Sequence, residues 1–153
     1  MGVDFTALSN AVRTQNEDDG LFGYVYDDAS IATVNDGMES GYYVYTRETA
    51  IDGPRMPYSM YFRFRKWIAN LGGSSAEKMW NGNDSSMPFY EMVNYSDCDG
   101  FFGPDTCSKL ANDFESHLEK ARQSDTEPRF LGFYESFLAC FKHAAGSGMV
   151  ILG

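Results

Sequence analysis

The chain has 153 residues, 43% hydrophobic and 16% aromatic, and a net charge of −10. That length suits one domain, in which folding removes roughly 70% of the unfolded surface, and so apolar a composition excludes a disordered chain. The negative charge argues against DNA, RNA and anionic membranes as direct partners and favours a protein with a basic surface.

The charge is uneven. Residues 1–57 carry ten acidic and three basic side chains, a net of −7, against −3 for residues 58–153. The excess centres on Glu17, Asp18, Asp19, Asp27 and Asp28, which form the expected partner-binding acidic face. No apolar run approaches the ~20 residues of a membrane span. The N-terminal MGVDFTALSNAV lacks a basic region followed by an apolar core, so no secretory signal is expected. Three cysteines, Cys98, Cys107 and Cys140, are an odd number in a chain long enough to fold without staples. Thiols in a reducing, cytoplasmic compartment follow.

Residues 3–13 are ambiguous: Phe5, Leu8 and Val12 sit at helical spacing, while VDFTAL also fits a first strand. LFGYVYDD reads as a strand despite Gly23, and GYYVYTRE (41–48) is the clearest strand, rich in aromatic and β-branched residues. The two suit a hairpin, with IATVN as a further short strand. IDGPRMP, with two prolines and a glycine, reads as a turn cluster. Ser59 then suits an N-cap for MYFRFRKWIANLGG, whose Tyr61, Phe64, Ile68 and Leu71 form one buried stripe and whose Gly72-Gly73 stops the helix. Residues 72–88 are expected to be a flexible or functional loop holding Met79 and Trp80. FYEMVNY (89–95) reads as a strand. Gly103 as cap, Pro104 at the first helical position and Asp105 in the first turn start a helix with Cys107, Leu110, Ala111, Phe114 and Leu118 on its apolar face. A break at QSDTEP precedes a last helix on Phe130, Tyr134, Phe137, Phe141 and Ala144, ended by GSG, and MVIL reads as a short central strand. The expected fold is α+β: a single compact domain over 1–153, with a small antiparallel or mixed sheet packed against about three helices.

The stretch with most chemical promise is NYSDCDGFFGPDTC (94–107). In the register of a calcium loop, Asp97, Asp99, Gly100 and Phe102 fall at acceptable positions. Tyr95 and Thr106 then occupy the first and twelfth places, so the bidentate carboxylate is missing. Zinc would draw on Cys98, Cys107, Cys140 and His143, but no short cysteine pair anchors that set. As a nucleophile Cys98 has His117 or His143 as candidate bases, yet its neighbours Asp97 and Asp99 raise a thiol's pKa. A tight turn feeding a helix, with Gly100 at positive φ, accounts for more residues at once and is favoured. Elsewhere, Arg63, Arg65 and Lys66 form the one basic cluster, able to clasp a carboxylate or phosphate but more often a solvated helix face. Tyr42, Tyr43 and Tyr45, with Tyr58, Tyr61 and Phe62, suit either an interaction patch or an ordinary aromatic core. No phosphate loop, G-x-S-x-G or H-E-x-x-H is present, and there are two histidines.

Two stretches together, YSMYFRFRKWIANLGG and MVNYSDCDGFFGPDTCSKLA, resemble a group of small uncharacterised bacterial and phage proteins. The resemblance rests on Phe64-Arg65 and on Ser96-Asp97-Cys98-Asp99-Gly100, with Pro104 and Cys107 beyond, and covers residues 58–111. It implies a bacterial or phage setting and carries no functional residue with it.

Two functional expectations follow. The first is a non-enzymatic acidic interaction protein, such as a phage inhibitor of host defence or an immunity-type protein, that needs no cofactor. The second is a small-ligand or metal-dependent protein centred on Asp97, Cys98 and Asp99 with Trp80 closing over the site.

Overall fold

The computed structural model describes residues 2–10, 12–14, 22–25, 41–44, 49–82, 84–95, 100–124 and 127–153. Residues 2–8 resolve the first ambiguity in favour of a strand. In β1 (Gly2–Leu8), Val3, Phe5 and Ala7 are buried and alternate with the half-exposed Asp4 and Thr6, the two-residue period of a sheet with one covered face. β2 (Val12–Thr14), β3 (Phe22–Val25) and β4 (Gly41–Val44) make a small antiparallel sheet in the order β2-β4-β3. The expected pairing of the two aromatic strands is present, with Phe22 opposite Val44 and Tyr24 opposite Tyr42. IATVN lies outside the described residues.

IDGPRMP is no turn. It lies in β5 (Ala50–Pro57), the edge of the main sheet, whose remaining strands are β6 (Gly100–Phe102) and β7 (Met149–Leu152). The order is β5-β1-β7-β6 with every pair antiparallel, so MVIL is central as its apolar run implies. An edge strand tolerates proline because its outer amides have no ladder to serve. Asp4 pairs with Arg55 and Thr6 with Asp52, so Gly53 and Pro54 stand opposite Phe5 alone, a bulge on the β5 side. Gly53 is needed there for closeness rather than turning: a Cβ would stand 2.9 Å from Cys140 Sγ and 3.0 Å from Phe5 Cβ.

One face of this sheet is covered by α1 (Tyr58–Leu71), α4 (Pro104–Ser116) and α6 (Pro128–Ala144), the three main helices expected from periodicity. The predicted stripe of α1 is buried throughout, although the helix begins at Tyr58 after Pro57, and Ser59 is not its cap. Gly103 and Pro104 start α4 as read; its face ends at Phe114, because the chain breaks at His117 and Leu118 opens the short α5 (Leu118–Gln123). The core between helices and sheet is aromatic. Phe137 of α6 meets Phe5 edge-on at 4.8 Å and Phe64 at 5.2 Å, and Phe114 lies 4.6 Å from Tyr134 and 5.6 Å from Phe141. Each such ring contributes about 1.5–3 kcal/mol by burial, with about 0.5–1.5 kcal/mol more for a well-oriented pair. Tyr134 Oη donates to Phe114 O at 2.6 Å, so its hydroxyl is satisfied inside the core. Leu8, Tyr43, Phe101 and Met149 form a second buried cluster that joins the small sheet to the large one.

Two further expectations are corrected. The 72–88 segment contains α2 (Ala76–Asn81), capped by the Ser75 side chain, which accepts from the Lys78 amide at 3.2 Å. FYEMVNY forms α3 (Tyr90–Asn94) rather than a strand. Phe89 turns the chain into that helix with φ 64°, and its amide donates to Asp113 Oδ2 at 3.0 Å. Met92 and Val93, adjacent in sequence, are both fully buried, which a strand with one covered face does not allow.

Candidate functional site

Residues 96–99, and with them Asp97, Cys98 and Asp99, lie outside the described residues; the two ends of that segment do not. The N-terminal end is Tyr95, held in several ways at once. Its amide donates to Glu91 O at 3.0 Å, its carbonyl accepts from Arg65 Nη1 at 3.0 Å, and its ring stands 5.1 Å from Phe102. The C-terminal end is Gly100, at φ 132° with the Tyr95 hydroxyl and ring edge where a Cβ would stand, and the next amide, Phe101 N, donates to Tyr95 Oη at 3.5 Å. The positive φ expected at Gly100 is present. The expected turn does not lead straight into the helix, because β6 intervenes before Gly103.

Arg65 is the residue that sequence reasoning placed wrongly. It is only 7% exposed, with its guanidinium 4.7 Å over the Tyr61 ring and hydrogen bonds to Val93 O (3.4 Å) and Tyr95 O. The signal was available: position 65 is four residues beyond Tyr61 and three before Ile68, on the same buried stripe. Trp80 reaches the same place from α2, donating its indole N–H to Val93 O at 3.1 Å. Its ring stacks on Phe62 at 5.9 Å and 21°, and both rings are 42% exposed. Lys66 Nζ sits 5.0 Å from the centre of the Phe62 ring and 3.2 Å from Glu77 Oε1. Trp80 thus meets the chain at Val93 O, while the Asp97–Asp99 turn over which it was expected to close lies outside the described residues.

The other candidate ligands are dispersed. Cys107 Sγ approaches Phe102 O at 3.4 Å, Cys140 is buried against Gly53, and His143 Nε2 lies 2.8 Å from Thr49 O. His117 Nδ1 is 2.8 Å from Asp113 O. Among the described residues no group of three His, Cys, Asp or Glu side chains could hold a metal ion. Burial, with the nearby negative charge of Asp52, pushes the Cys140 thiol up to about 11, which leaves it neutral and unreactive. A half-buried charge network ties α3 to α4: Lys109 Nζ reaches Glu91 Oε1 (2.7 Å), Asp113 Oδ2 (3.1 Å) and Met87 O (2.8 Å). Burial raises the Glu91 pKa despite the opposing pull of Lys109.

The described residues carry eleven acidic and eleven basic side chains, so the whole excess of −10 belongs to the remaining segments. Among the described residues, eight of the eleven acids lie within 4.0 Å of a lysine or arginine nitrogen. Glu17, Asp18, Asp19, Asp27 and Asp28 all fall outside the described residues, within a stretch, 15–48, that carries eight acids against the single Arg47. No helix among the described residues is long and apolar enough to cross a membrane. The chain matches no family model, no curated protein and no solved structure.

Proposed function

We propose that the chain is a non-enzymatic cytoplasmic binding protein whose acidic segment engages a protein partner with a basic surface, as a phage inhibitor of host defence or an immunity-type protein would. The observation that carries this reading is the uneven charge along the chain: residues 15–48 hold eight acids against the single Arg47, a net −7 out of −10. Among the described residues, Arg55, Arg63, Lys66, Lys109, Arg122 and Lys142 already pair with acids at 2.7–3.9 Å, and a local excess of seven negative charges favours a cationic partner and speeds its encounter. The same field repels nucleic acid. Such an association weakens as salt shortens the Debye length from ~30 Å at 0.01 M to ~8 Å at 0.15 M.

The test compares capture of partners from a bacterial lysate by the wild-type chain and by a variant with Glu17→Gln, Asp18→Asn, Asp19→Asn, Asp27→Asn and Asp28→Asn. A partner retained at low salt, shed at high salt and lost by the variant supports the reading. A partner indifferent to both changes removes it.

A second reading, a small-ligand or metal-dependent protein centred on Asp97, Cys98 and Asp99, draws support from the donors that converge just before that segment, Arg65 and Trp80. The permanent charge of Arg65 at Tyr95 O weakens the metal form of the idea, since a guanidinium competes with a cation for neighbouring carboxylates. Metal analysis of the purified protein, with melting curves in calcium, zinc and chelator, decides that form. Equal melting temperatures and no bound metal retire it.

A further inference from the structure

The bulge in β5 opens a cavity of about 340 Å³ on the outer side of the β1–β5 pair, lined by Asp4, Phe5, Thr6, Asp52, Gly53 and Arg55. Its floor is fixed, because Gly53 is pressed against Cys140 and Phe5 with no room for a Cβ. Its polar groups are mostly acceptors: the carboxylates of Asp4 and Asp52 and the hydroxyl of Thr6. The cation is at the rim, where Arg55 Nε stands 3.0 Å from Asp4 Oδ1 with 85% of its side chain exposed. That oxygen is closed off from solvent and faces Arg55, so a group entering the notch meets the rest of the Asp4 carboxylate, whose side chain is half-exposed. Asp52 has no lysine or arginine within ion-pair distance among the described residues.

We infer that this notch receives the guanidinium or ammonium group of an arginine or lysine side chain of the basic partner. The inference rests on the binding reading above and gives it an anchor on the rigid scaffold. Fixed acceptors around a net negative charge match a group that only donates, and arginine, with five N–H groups in a planar fork, fits best. A divalent metal is disfavoured: two carboxylates and one hydroxyl make a sparse oxygen set, and the Arg55 charge already stands beside one of them. The size is at the low end of small-ligand pockets, suited to one side-chain head group rather than a metabolite. Alone such an exposed contact is weak, and its use is to fix register once the acidic segment has drawn the partner in.

The experiment titrates the full chain with N-acetyl-arginine amide and follows backbone amide signals by NMR, with the uncharged isostere N-acetyl-citrulline amide as control. Saturable shifts at Asp4–Thr6 and Asp52–Arg55 are expected with arginine and not with citrulline. Asp52→Asn should weaken that binding about tenfold, the loss of one charge-assisted contact. Arg55→Ala should tighten it several-fold, because the internal competitor is gone. Equal response to citrulline, no saturable shift at these amides, or an Asp52→Asn variant that binds unchanged overturns the notch. If the notch alone fails, salt-sensitive capture through residues 15–48 survives. If the acidic segment fails while the notch still binds arginine, the broader reading falls and the site stands.

Discussion

Gly100→Ala tests how the base of the 96–99 segment is built. At φ 132° the backbone is in a region that alanine reaches only with strain, which costs about 1–3 kcal/mol. The new methyl would also stand 2.7 Å from Tyr95 Cε1 and 2.9 Å from Cζ, and closer still to the hydroxyl. Tyr95 cannot step aside cheaply, because its amide is bound to Glu91 O, its carbonyl to Arg65 and its ring to Phe102. Overpacking of that kind adds about 1–3 kcal/mol. Together the two effects predict a loss of about 2–6 kcal/mol in urea unfolding. At about 2–4 °C per kcal/mol for a chain of this size, the melting temperature should fall by roughly 4–24 °C. The Tyr95→Ala background separates the causes: with the ring gone, Gly100→Ala should retain the strain and shed the clash, giving a coupling of about 1–2 kcal/mol between the two sites. A cost below about 1 kcal/mol, or additivity within about 0.5 kcal/mol, would refute the packing of Tyr95 on Gly100.

Three further outcomes can be checked with the same equipment. Arg65→Met should cost about 2–4 kcal/mol, since Tyr95 O loses its charge-assisted partner while Val93 O keeps Trp80, and Arg65→Lys should restore less than half of it; a loss under about 1 kcal/mol would place the guanidinium elsewhere. Glu91, whose pKa burial raises above 4.5, holds its proton more tightly in the folded state than in the unfolded chain. Its ionisation therefore removes stability as pH rises from the unfolded value through the folded one. Glu91→Gln should flatten that part of the urea midpoint against pH, and an unchanged profile would show the carboxyl to be solvated. Cys107 and Cys140 should resist a thiol reagent at pH 8 until the protein unfolds, as mass spectrometry of labelled peptides would reveal. Labelling of Cys140 within minutes in the folded state would contradict its burial.

What could be read from the sequence was whatever local period decides. The stripes of α1, α4 and α6 repeat at three and four residues, and burial follows them. The misreadings share a cause, which is that a neighbour elsewhere in the fold overrode a local signal. Two prolines and a glycine signal a turn, but at the sheet edge they cost β5 no ladder bond, and the strand stands. FYEMVNY has strand-like composition, yet Asp113 on another helix captures the Phe89 amide and turns the chain into α3. Arg65 looked like one member of a solvated basic run because its acceptors, Val93 O and Tyr95 O, lie 28 and 30 residues away. The α2 helix was the avoidable miss, since Ser75 followed by Ala-Glu-Lys is a capping pattern visible in the chain itself. The notch at Asp4 and Asp52 was not legible, because it needs the β1–β5 register and its bulge.

Arg65 supplies a buried donor to the carbonyl of Tyr95, the residue that precedes Ser96. That contact serves folding, whereas the proposed binding rests on the acids of residues 15–48. The distinction is testable in one protein. Removing five acids at Glu17, Asp18, Asp19, Asp27 and Asp28 relieves repulsion within a stretch of net −7 and leaves every ion pair between described residues intact. The neutralised variant should unfold within about 0.5 kcal/mol of wild type or be more stable, most visibly at low salt, while losing its partner. A variant that instead unfolds readily would show those carboxylates to be structural ligands of the fold, and charge segregation would then say nothing about what the protein binds.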